Sequence, residues 1–207
     1  MPTKADLRRT YRARREAFDP TALDAASDRV RSRVLALPEI AAAKCVFVYA
    51  SADGEVQTYT LIEDLWAMRK TVAVPRVTDP ANGGMDAVPI RSLKDLAPAA
   101  FGVLAPRHGA PLNQNPEVVV VPGVAFCPAT GHRLGQGRGF YDRYLAAHPA
   151  AFAVGLSLES QLLDDLPAES HDWAVDAVVT ESAVYRVTPS PAPEAPETAK
   201  PPETADA

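Results

Sequence analysis

The fold is decided by residues 118–145, which read VVVVPGVAFCPATGHRLGQGRGFYDRYL. The run Val118–Val121 contains no polar residue and predicts a central strand that is buried on both faces. Pro122 and Gly123 end that strand, and a polar turn rich in glycine and arginine follows. Beyond this turn the apolar residues take helical spacing, which predicts a helix from residue 140. The side chains predicted to face the core are those of Phe140, Tyr144 and Leu145.

A strand, a glycine-rich turn and a helix start, in this order, form a site suited to an anion. Glycine lets backbone N–H groups approach a ligand without a Cβ in the way, and a helix N-terminus carries partial positive charge. Arg133 and Arg138 add charged donors that suit phosphate oxygens. The alternative is an ordinary strand-to-helix connection with solvated arginines. The spacing Gly135-x-Gly137-x-Gly139 is neither the dinucleotide fingerprint nor a Walker loop, so it supports neither motif.

Length and composition favour one globular domain with a tail. The chain has 207 residues, of which 47% are hydrophobic, enough for a full core. We expect a domain over residues 1–187 and a disordered tail over residues 188–207, because the tail is rich in Pro, Ala and Glu and lacks large apolar residues. A net charge of −5 argues against a general nucleic-acid binder.

The same composition predicts a cytoplasmic protein that uses no membrane. The two cysteines, Cys45 and Cys127, form no metal-like cluster and fit a reduced compartment. No apolar run has the length of a membrane span, and the N-terminus is charged where a signal peptide is apolar. The sequence leaves a monomer and a homodimer equally open.

Further apolar runs alternate with helical patterns, which predicts an α/β fold with a mainly parallel sheet. Pro89 places one short run, Met85–Ile90, at an edge of the sheet, because proline cannot donate to a strand ladder. The other predicted strands are Cys45–Ala50, Thr71–Pro75, Phe152–Ser157 and Ala177–Thr180.

The N-terminal residues Lys4–Phe18 predict a basic amphipathic helix. Lys4 and Arg8 are one turn apart, so they share a face and are placed to meet one phosphate chain. The alternative is a solvated charged face. Asp19 and Pro20 then predict the start of a second helix, as N-cap and first helical residue.

Two loops at predicted strand ends carry charged residues. In an α/β sheet, ligands collect beyond the carboxyl ends of the strands. Glu55 lies in such a loop, and its alternative interpretation is an exposed carboxylate. Arg76 follows the next strand and is a second candidate for an anionic ligand.

The segment Arg133–Leu145, preceded by Val121–Phe126, closely resembles the signature of the 5-formyltetrahydrofolate cyclo-ligase (methenyltetrahydrofolate synthetase) family. The resemblance extends over the chain up to Val187. It implies a single Rossmann-like three-layer domain. It also implies ATP-dependent conversion of 5-formyltetrahydrofolate to 5,10-methenyltetrahydrofolate, with release of ADP and phosphate. In that reaction the formyl oxygen is phosphorylated and N10 closes the ring.

The resemblance also implies a set of site residues. The residues implied in ATP binding are Lys4, Arg8, Arg133, Leu134, Gly135, Gln136, Gly137, Arg138, Gly139, Phe140 and Tyr141. Those implied in folate binding are Ala50, Glu55, Gln136, Gly137, Arg138, Gly139 and Phe140. Arg138 and Tyr141 are the implied catalytic residues, and Asp142 and Asp172 are the implied Mg²⁺ ligands, with Asp176 as a rival to Asp172.

Three positions depart from the usual family pattern. Ala105 stands where many relatives carry Glu, so no carboxylate role is transferred there. Phe140 replaces a frequent Tyr and loses its hydroxyl, while Arg138 replaces a frequent Lys and keeps the charge with another geometry.

Two other functions compete with the ligase. A sugar-phosphate isomerase or CoA-transferase relative would use the glycine loop without ATP and would need a base or nucleophile at a strand end, for which Glu55 is the candidate. A non-catalytic folate- or nucleotide-binding protein would bind without turnover.

Overall fold

The computed structural model describes residues 2–52 and 54–188, which form a three-layer α/β fold around a sheet of seven strands. The strands of the protein are β1 (Cys45–Val48), β2 (Thr71–Asp79), β3 (Gly84–Ile90), β4 (Leu96–Pro98), β5 (Leu104–Pro106), β6 (Val118–Val121), β7 (Ala125–Phe126), β8 (Arg133–Leu134), β9 (Phe152–Leu156), β10 (Ala177–Val179) and β11 (Val184–Arg186). The helices are α1 (Lys4–Glu16), α2 (Pro20–Leu35), α3 (Pro38–Ala42), α4 (Tyr59–Ala67) and α5 (Phe140–Ala147), with 3₁₀ turns at Leu93–Asp95, Ala100–Gly102 and Glu159–Gln161. The predicted tail lies outside the described residues from residue 189 onward.

The order of the sheet is β11-β10-β9-β6-β1-β2-β3, which confirms the mainly parallel arrangement. Strands β10, β9, β6, β1 and β2 pair in parallel, and the edge strands β3 and β11 pair antiparallel. From β1 the chain proceeds to β2 on one side, whereas from β6 it proceeds to β9 on the other. The β1–β6 boundary is therefore the switch point at which α/β sheets open a ligand crevice.

The predicted central strand β6 lies in the middle of the sheet and is buried on both faces. Val118 and Val120 join one core cluster with α2, α3 and α4, whereas Val119 and Val121 join another with α5. This double covering explains why the strand has no polar position. Asp19 caps α2 as predicted, accepting a hydrogen bond from the N–H of Ala22.

Helix α1 packs apart from these layers, against the ribbon formed by β7 and β8. Tyr11 is its buried anchor, and it shares a third apolar cluster with Val124, Ala125 and Leu134. The basic N-terminal helix is thereby fixed beside the glycine-rich turn, although more than a hundred residues separate the two in the chain.

The structure differs from the sequence prediction at several boundaries. Strand β2 continues past Pro75 to Asp79 because it forms a long hairpin with β3. The predicted polar turn contains the strand β8, which pairs with β7. Phe140 is only half-buried; it is the first residue of α5 and rests against Phe101, with 5.9 Å between ring centroids.

Both cysteines are buried and free. Within residues 2–52 and 54–188, no helix is both long and apolar enough to cross a membrane.

Candidate active site

A cavity of about 630 Å³ opens where β1 and β6 end, at the switch point of the sheet. Tyr49 and Ala50 follow β1 and line it, as do Pro122 and Gly123, which follow β6. The predicted site residues that line this cavity are Ala50, Glu55, Arg76, Arg133, Gly135, Gln136, Arg138, Gly139, Phe140, Tyr141 and Asp142. Lys4, Arg8, Gly137 and Asp172 lie around it without lining it, and Leu134 is buried in the cluster under α1.

The glycine loop owes its course to two left-handed residues. Gly137 has a φ of 93° and Gly139 a φ of 65°, a region that residues with a Cβ rarely adopt. Gly139 is also the N-cap of α5, so the loop leads directly into the helix whose first turn faces the cavity. This places the backbone and the partial charge of the helix start at one wall of the cavity.

Arg8 contacts the glycine loop, whereas Lys4 pairs with the segment that contains Asp172. The Arg8 Nε donates to the carbonyl oxygen of Gly135 at 2.8 Å, so α1 holds the glycine loop directly. The Lys4 Nζ lies 2.6 Å from an Asp172 carboxylate oxygen and 2.9 Å from Glu169. One face of α1 thus brings Arg8 onto the loop and Lys4 to Asp172, and that the two cations meet one phosphate chain stays a prediction.

The same face of α1 continues into the cavity with two further arginines. Arg12 donates to the Gln136 side-chain oxygen, and Arg15 Nη1 lies 3.3 Å from Glu55 Oε1. Both arginines line the cavity. Arg12 and Arg15 lie four and seven residues after Arg8, which is the spacing of residues on one helix face. The helical spacing that predicted a shared face for Lys4 and Arg8 could therefore have predicted these two arginines as well.

Glu55 lies inside the cavity rather than on an exposed loop. Its Oε2 accepts a hydrogen bond from the N–H of Ala52 at 3.0 Å, and Oε1 faces Arg15. Burial raises the pKa of the Glu55 carboxyl above its usual value, although Ala52 and Arg15 act in the opposite direction. The exposed-loop alternative therefore does not describe this residue.

Arg133 is the most buried cation of the site, and it holds Asp142. Only 4% of its side chain is exposed. Its guanidinium donates to Asp142 Oδ1 at 2.9 Å and to the carbonyl oxygen of Trp173 at 3.0 Å, and the N–H of Trp173 also donates to Asp142. The cavity floor is thereby tied to the segment that contains Asp172.

The Tyr141 hydroxyl is a buried polar group that, within the described part of the chain, forms no hydrogen bond. Its ring stacks against Phe47 with centroids 6.1 Å apart, and the residue lines the cavity. Burial and the nearby charge of Glu55 raise the pKa of this hydroxyl far above its ordinary value. It therefore remains protonated and is available as a donor to a ligand, because buried polar groups are normally paired.

The hairpin β4–β5 closes one side of the cavity with an aromatic residue that the sequence did not single out. Phe101 is 48% exposed, has a φ of 66° and lies under the Arg138 guanidinium at 4.3 Å. No residue pattern signals this, because the contact depends on how the hairpin folds over the glycine loop. Ala105 lies in β5 and lines the same wall with a methyl group.

The residues implied in Mg²⁺ binding fit that ion to different degrees. Asp142 fits: its described hydrogen bonds fall on Oδ1, and the residue lines the cavity, so Oδ2 is available to a cation. Asp172 is already paired with Lys4. Burial opposes its charged form, but hydrogen bonds from Lys4 and the N–H of Glu169 outweigh burial and lower its pKa.

Asp176, the rival candidate, accepts a hydrogen bond from the N–H of Ala153 at the start of β9, at the opposite ends of the strands. Among residues 2–52 and 54–188, no three His, Cys, Asp or Glu side chains cluster as a metal site. Mg²⁺ commonly binds one or two carboxylates and completes its shell with substrate phosphates and water. Asp142 alone satisfies that pattern.

Comparison with known proteins agrees with this geometry. The model of the "5-formyltetrahydrofolate cyclo-ligase family" matches residues 1–181. The 5-formyltetrahydrofolate cyclo-ligase of Escherichia coli K12 is 33% identical over 180 residues, covering 84% of this chain and 98% of the relative. The Saccharomyces cerevisiae enzyme of the same name is 31% identical over 201 residues, covering 86% and 95%.

A solved structure gives the same result. The NMR structure of Aquifex aeolicus 5,10-methenyltetrahydrofolate synthetase superposes with a TM-score of 0.79 at 29% identity, covering 95% of this chain and 99% of that one. The match is nearly complete in both directions and includes the glycine loop. The chain belongs to the 5-formyltetrahydrofolate cyclo-ligase family and is an enzyme of that family.

Proposed function

We propose that the protein converts 5-formyltetrahydrofolate to 5,10-methenyltetrahydrofolate and consumes ATP, releasing ADP and phosphate. The observation that carries the proposal is the single cavity in which the glycine loop, a row of cations from α1 and the Glu55 carboxylate meet. A cavity of about 630 Å³ is of a size that encloses a ligand of this kind.

The two ligands divide the cavity according to charge. The triphosphate takes the side of the glycine loop, where Lys4, Arg8 and Arg133 supply positive charge and the backbone of residues 134–141 lies close. The folate takes the side of Ala50 and Glu55. The loop residues between them, Gln136, Gly137, Arg138, Gly139 and Phe140, contact both ligands.

The chemical task is to make the formyl oxygen a leaving group. That oxygen attacks the γ-phosphorus and ADP departs; the N10 lone pair then bonds to the formyl carbon, phosphate leaves with the oxygen, and N10 loses its proton. Phosphoryl transfer of this kind depends on positioning and on neutralising charge. The chain supplies both, with Arg133 and Arg138 lining the cavity and Tyr141 held by stacking against the buried Phe47.

Tyr141 and Arg138 are the proposed catalytic residues. The unpaired Tyr141 hydroxyl donates to the formyl oxygen and orients it toward the phosphorus. Arg138, held over Phe101, places its positive charge above the same atoms.

Asp142 is the proposed carboxylate ligand of Mg²⁺, and Asp172 would join it only if Lys4 turned from that carboxylate to a phosphate. When bound, Mg²⁺ neutralises charge on the triphosphate. Arg133 fixes the orientation of the Asp142 carboxylate through its hydrogen bond to Oδ1.

The test is to follow the near-ultraviolet absorbance of the methenyl product with ATP and Mg²⁺ present, and with each omitted. Product that forms only when both are present supports the ligase. Absence of both product and folate binding would favour the isomerase or transferase alternative, and folate binding without turnover would favour a binding protein.

Replacement of Arg138 by alanine should raise the KM for ATP or for the folate at least tenfold, equivalent to about 1.4 kcal/mol for one charged contact. The guanidinium lies over the cavity mouth, so its loss removes charge from the site without opening the core. Arg29→Ala, on the exposed face of α2, is the matched control. Kinetic constants of Arg138→Ala equal to those of the control would remove this arginine from the site.

A further inference from the structure

One ion pair inside the cavity has no part in the phosphoryl transfer described above. Arg15, from the last turn of α1, points its guanidinium at Glu55, and only 13% and 15% of the two side chains are exposed. The pair joins the N-terminal helix to the loop that follows β1, two elements 40 residues apart. Burying two charged side chains to this extent costs desolvation free energy. A contribution to stability therefore does not by itself explain why the pair is present.

The Arg15 side chain is fitted against the whole loop, not only against the carboxylate. A Cβ added at Gly54 would lie 3.0 Å from the Arg15 Cγ, so the stem of Arg15 lies directly on the loop backbone. On the other side the Tyr49 hydroxyl donates to the carbonyl oxygen of Val56 at 2.9 Å. The loop is therefore held between α1 and the end of β1, which restricts the orientation of Glu55.

Arg15 is the charged group that opposes the effect of burial on Glu55, beside the N–H of Ala52. The polar groups that face the carboxylate are the Arg15 guanidinium, the N–H of Ala52 and, at longer range, the hydroxyls of Tyr49 and Tyr141. Burial raises the pKa of Glu55, and the guanidinium counteracts that rise. Arg12 and Arg133 also line the cavity, but their hydrogen bonds go to Gln136, Trp173 and Asp142.

We propose that Arg15 is a positioning residue that holds the Glu55 carboxylate, through this ion pair, in the orientation and charge in which it receives the reduced folate. The proposal rests on the proposed function, since it takes Glu55 as a folate contact. The two ends of α1 then have different roles. Lys4 and Arg8, near its N-terminus, would bind the triphosphate, and Arg15, near its C-terminus, would position the carboxylate that binds the folate.

The test compares Arg15→Gln with Arg15→Lys and with Arg14→Gln, the same substitution one residue earlier, where the side chain is exposed and covers Tyr11. Without the guanidinium the pKa of Glu55 rises further, so more of it is protonated at a given pH. The KM for 5-formyltetrahydrofolate in Arg15→Gln should therefore exceed that of wild type most at low pH, by about tenfold, and the difference should shrink as the pH rises. The KM for ATP should change little.

Arg15→Lys keeps the charge and should show a smaller defect than Arg15→Gln, and Arg14→Gln should behave as wild type. A KM defect of Arg15→Gln that is the same at every pH would overturn the proposal. So would an equal defect in Arg14→Gln, which would indicate a general disturbance of α1.

A second measurement needs no turnover and separates this proposal from the proposed function. The Glu55 carboxyl carbon is followed by ¹³C NMR over a pH titration, with its signal assigned through Glu55→Gln. The pKa of Glu55 should be higher in Arg15→Gln than in wild type, and an unchanged pKa overturns the proposal. If wild type fails to convert the folate while the Glu55 pKa shifts as expected, the assigned reaction fails and the link between Arg15 and Glu55 stands.

Discussion

Replacement of Tyr141 by phenylalanine is expected to lower kcat by about a hundredfold and to leave the protein as stable as before or slightly more stable. The hydroxyl is buried, stays protonated and forms no hydrogen bond within the described residues. A polar group left unpaired in a folded protein costs free energy, so its removal relieves that cost. A loss of activity without a loss of stability is the signature of a group kept for a ligand.

Tyr144→Phe is the matched control for this prediction. Tyr144 lies three residues further along α5, packs its ring at 4.7 Å from that of Phe47, and does not line the cavity. The measurements are kcat from initial rates and the free energy of unfolding from urea titration. Activity of Tyr141→Phe within threefold of the control would mean that the hydroxyl does not touch the reacting atoms.

Replacement of Arg133 by methionine is expected to destabilise the protein by about 3 kcal/mol and to abolish measurable turnover. The guanidinium is nearly inaccessible and satisfies both the Asp142 carboxylate and the carbonyl oxygen of Trp173. Removing it leaves a partly buried carboxylate without its counter-charge. Removing one partner of such a pair destabilises a protein more than replacing both partners by apolar residues. Phosphate binding is lost at the same time.

A double-mutant cycle with Asp142→Asn shows whether the pair is the cause. The two substitutions should be strongly non-additive in the free energy of unfolding, because the neutral amide no longer needs the cation. Arg133→Lys should recover part of the stability only, since one ammonium does not reproduce the planar fork that reaches both acceptors. Additive effects, or a cost of Arg133→Met below about 1 kcal/mol, would contradict the role assigned to this arginine.

Much of the fold was predictable because parallel strands covered on both faces leave an unbroken apolar signal. The four valines of β6, the proline that places β3 at the edge, and the Asp-Pro start of α2 each have a local physical cause. The strand β8 was not predicted, because its two residues lie in a polar, glycine-rich segment and gain strand geometry only by pairing with β7.

In the site, too, residues that are close together in the chain were predicted, whereas contacts between distant residues were not. Residues of the glycine loop are contiguous in the chain and were found together. Arg15 and Phe101 were missed, because their partners Glu55 and Arg138 are distant in sequence and meet only through the tertiary fold. The comparison of Asp172 with Asp176 needed the structure too: Asp176 directly precedes β10 and accepts a hydrogen bond from the start of β9, at the opposite ends of the strands from the cavity.

The central claim is that triphosphate and reduced folate share one cavity at the switch point of the sheet. The most direct measurement is a crystal structure of the protein with a non-hydrolysable ATP analogue, Mg²⁺ and 5-formyltetrahydrofolate. The account predicts the terminal phosphate in the cavity beside the Gly135–Gly139 loop, with the folate ring against Glu55 and its formyl oxygen facing that phosphate. Either ligand bound outside this cavity, or the formyl group and the phosphate facing different walls, would contradict it.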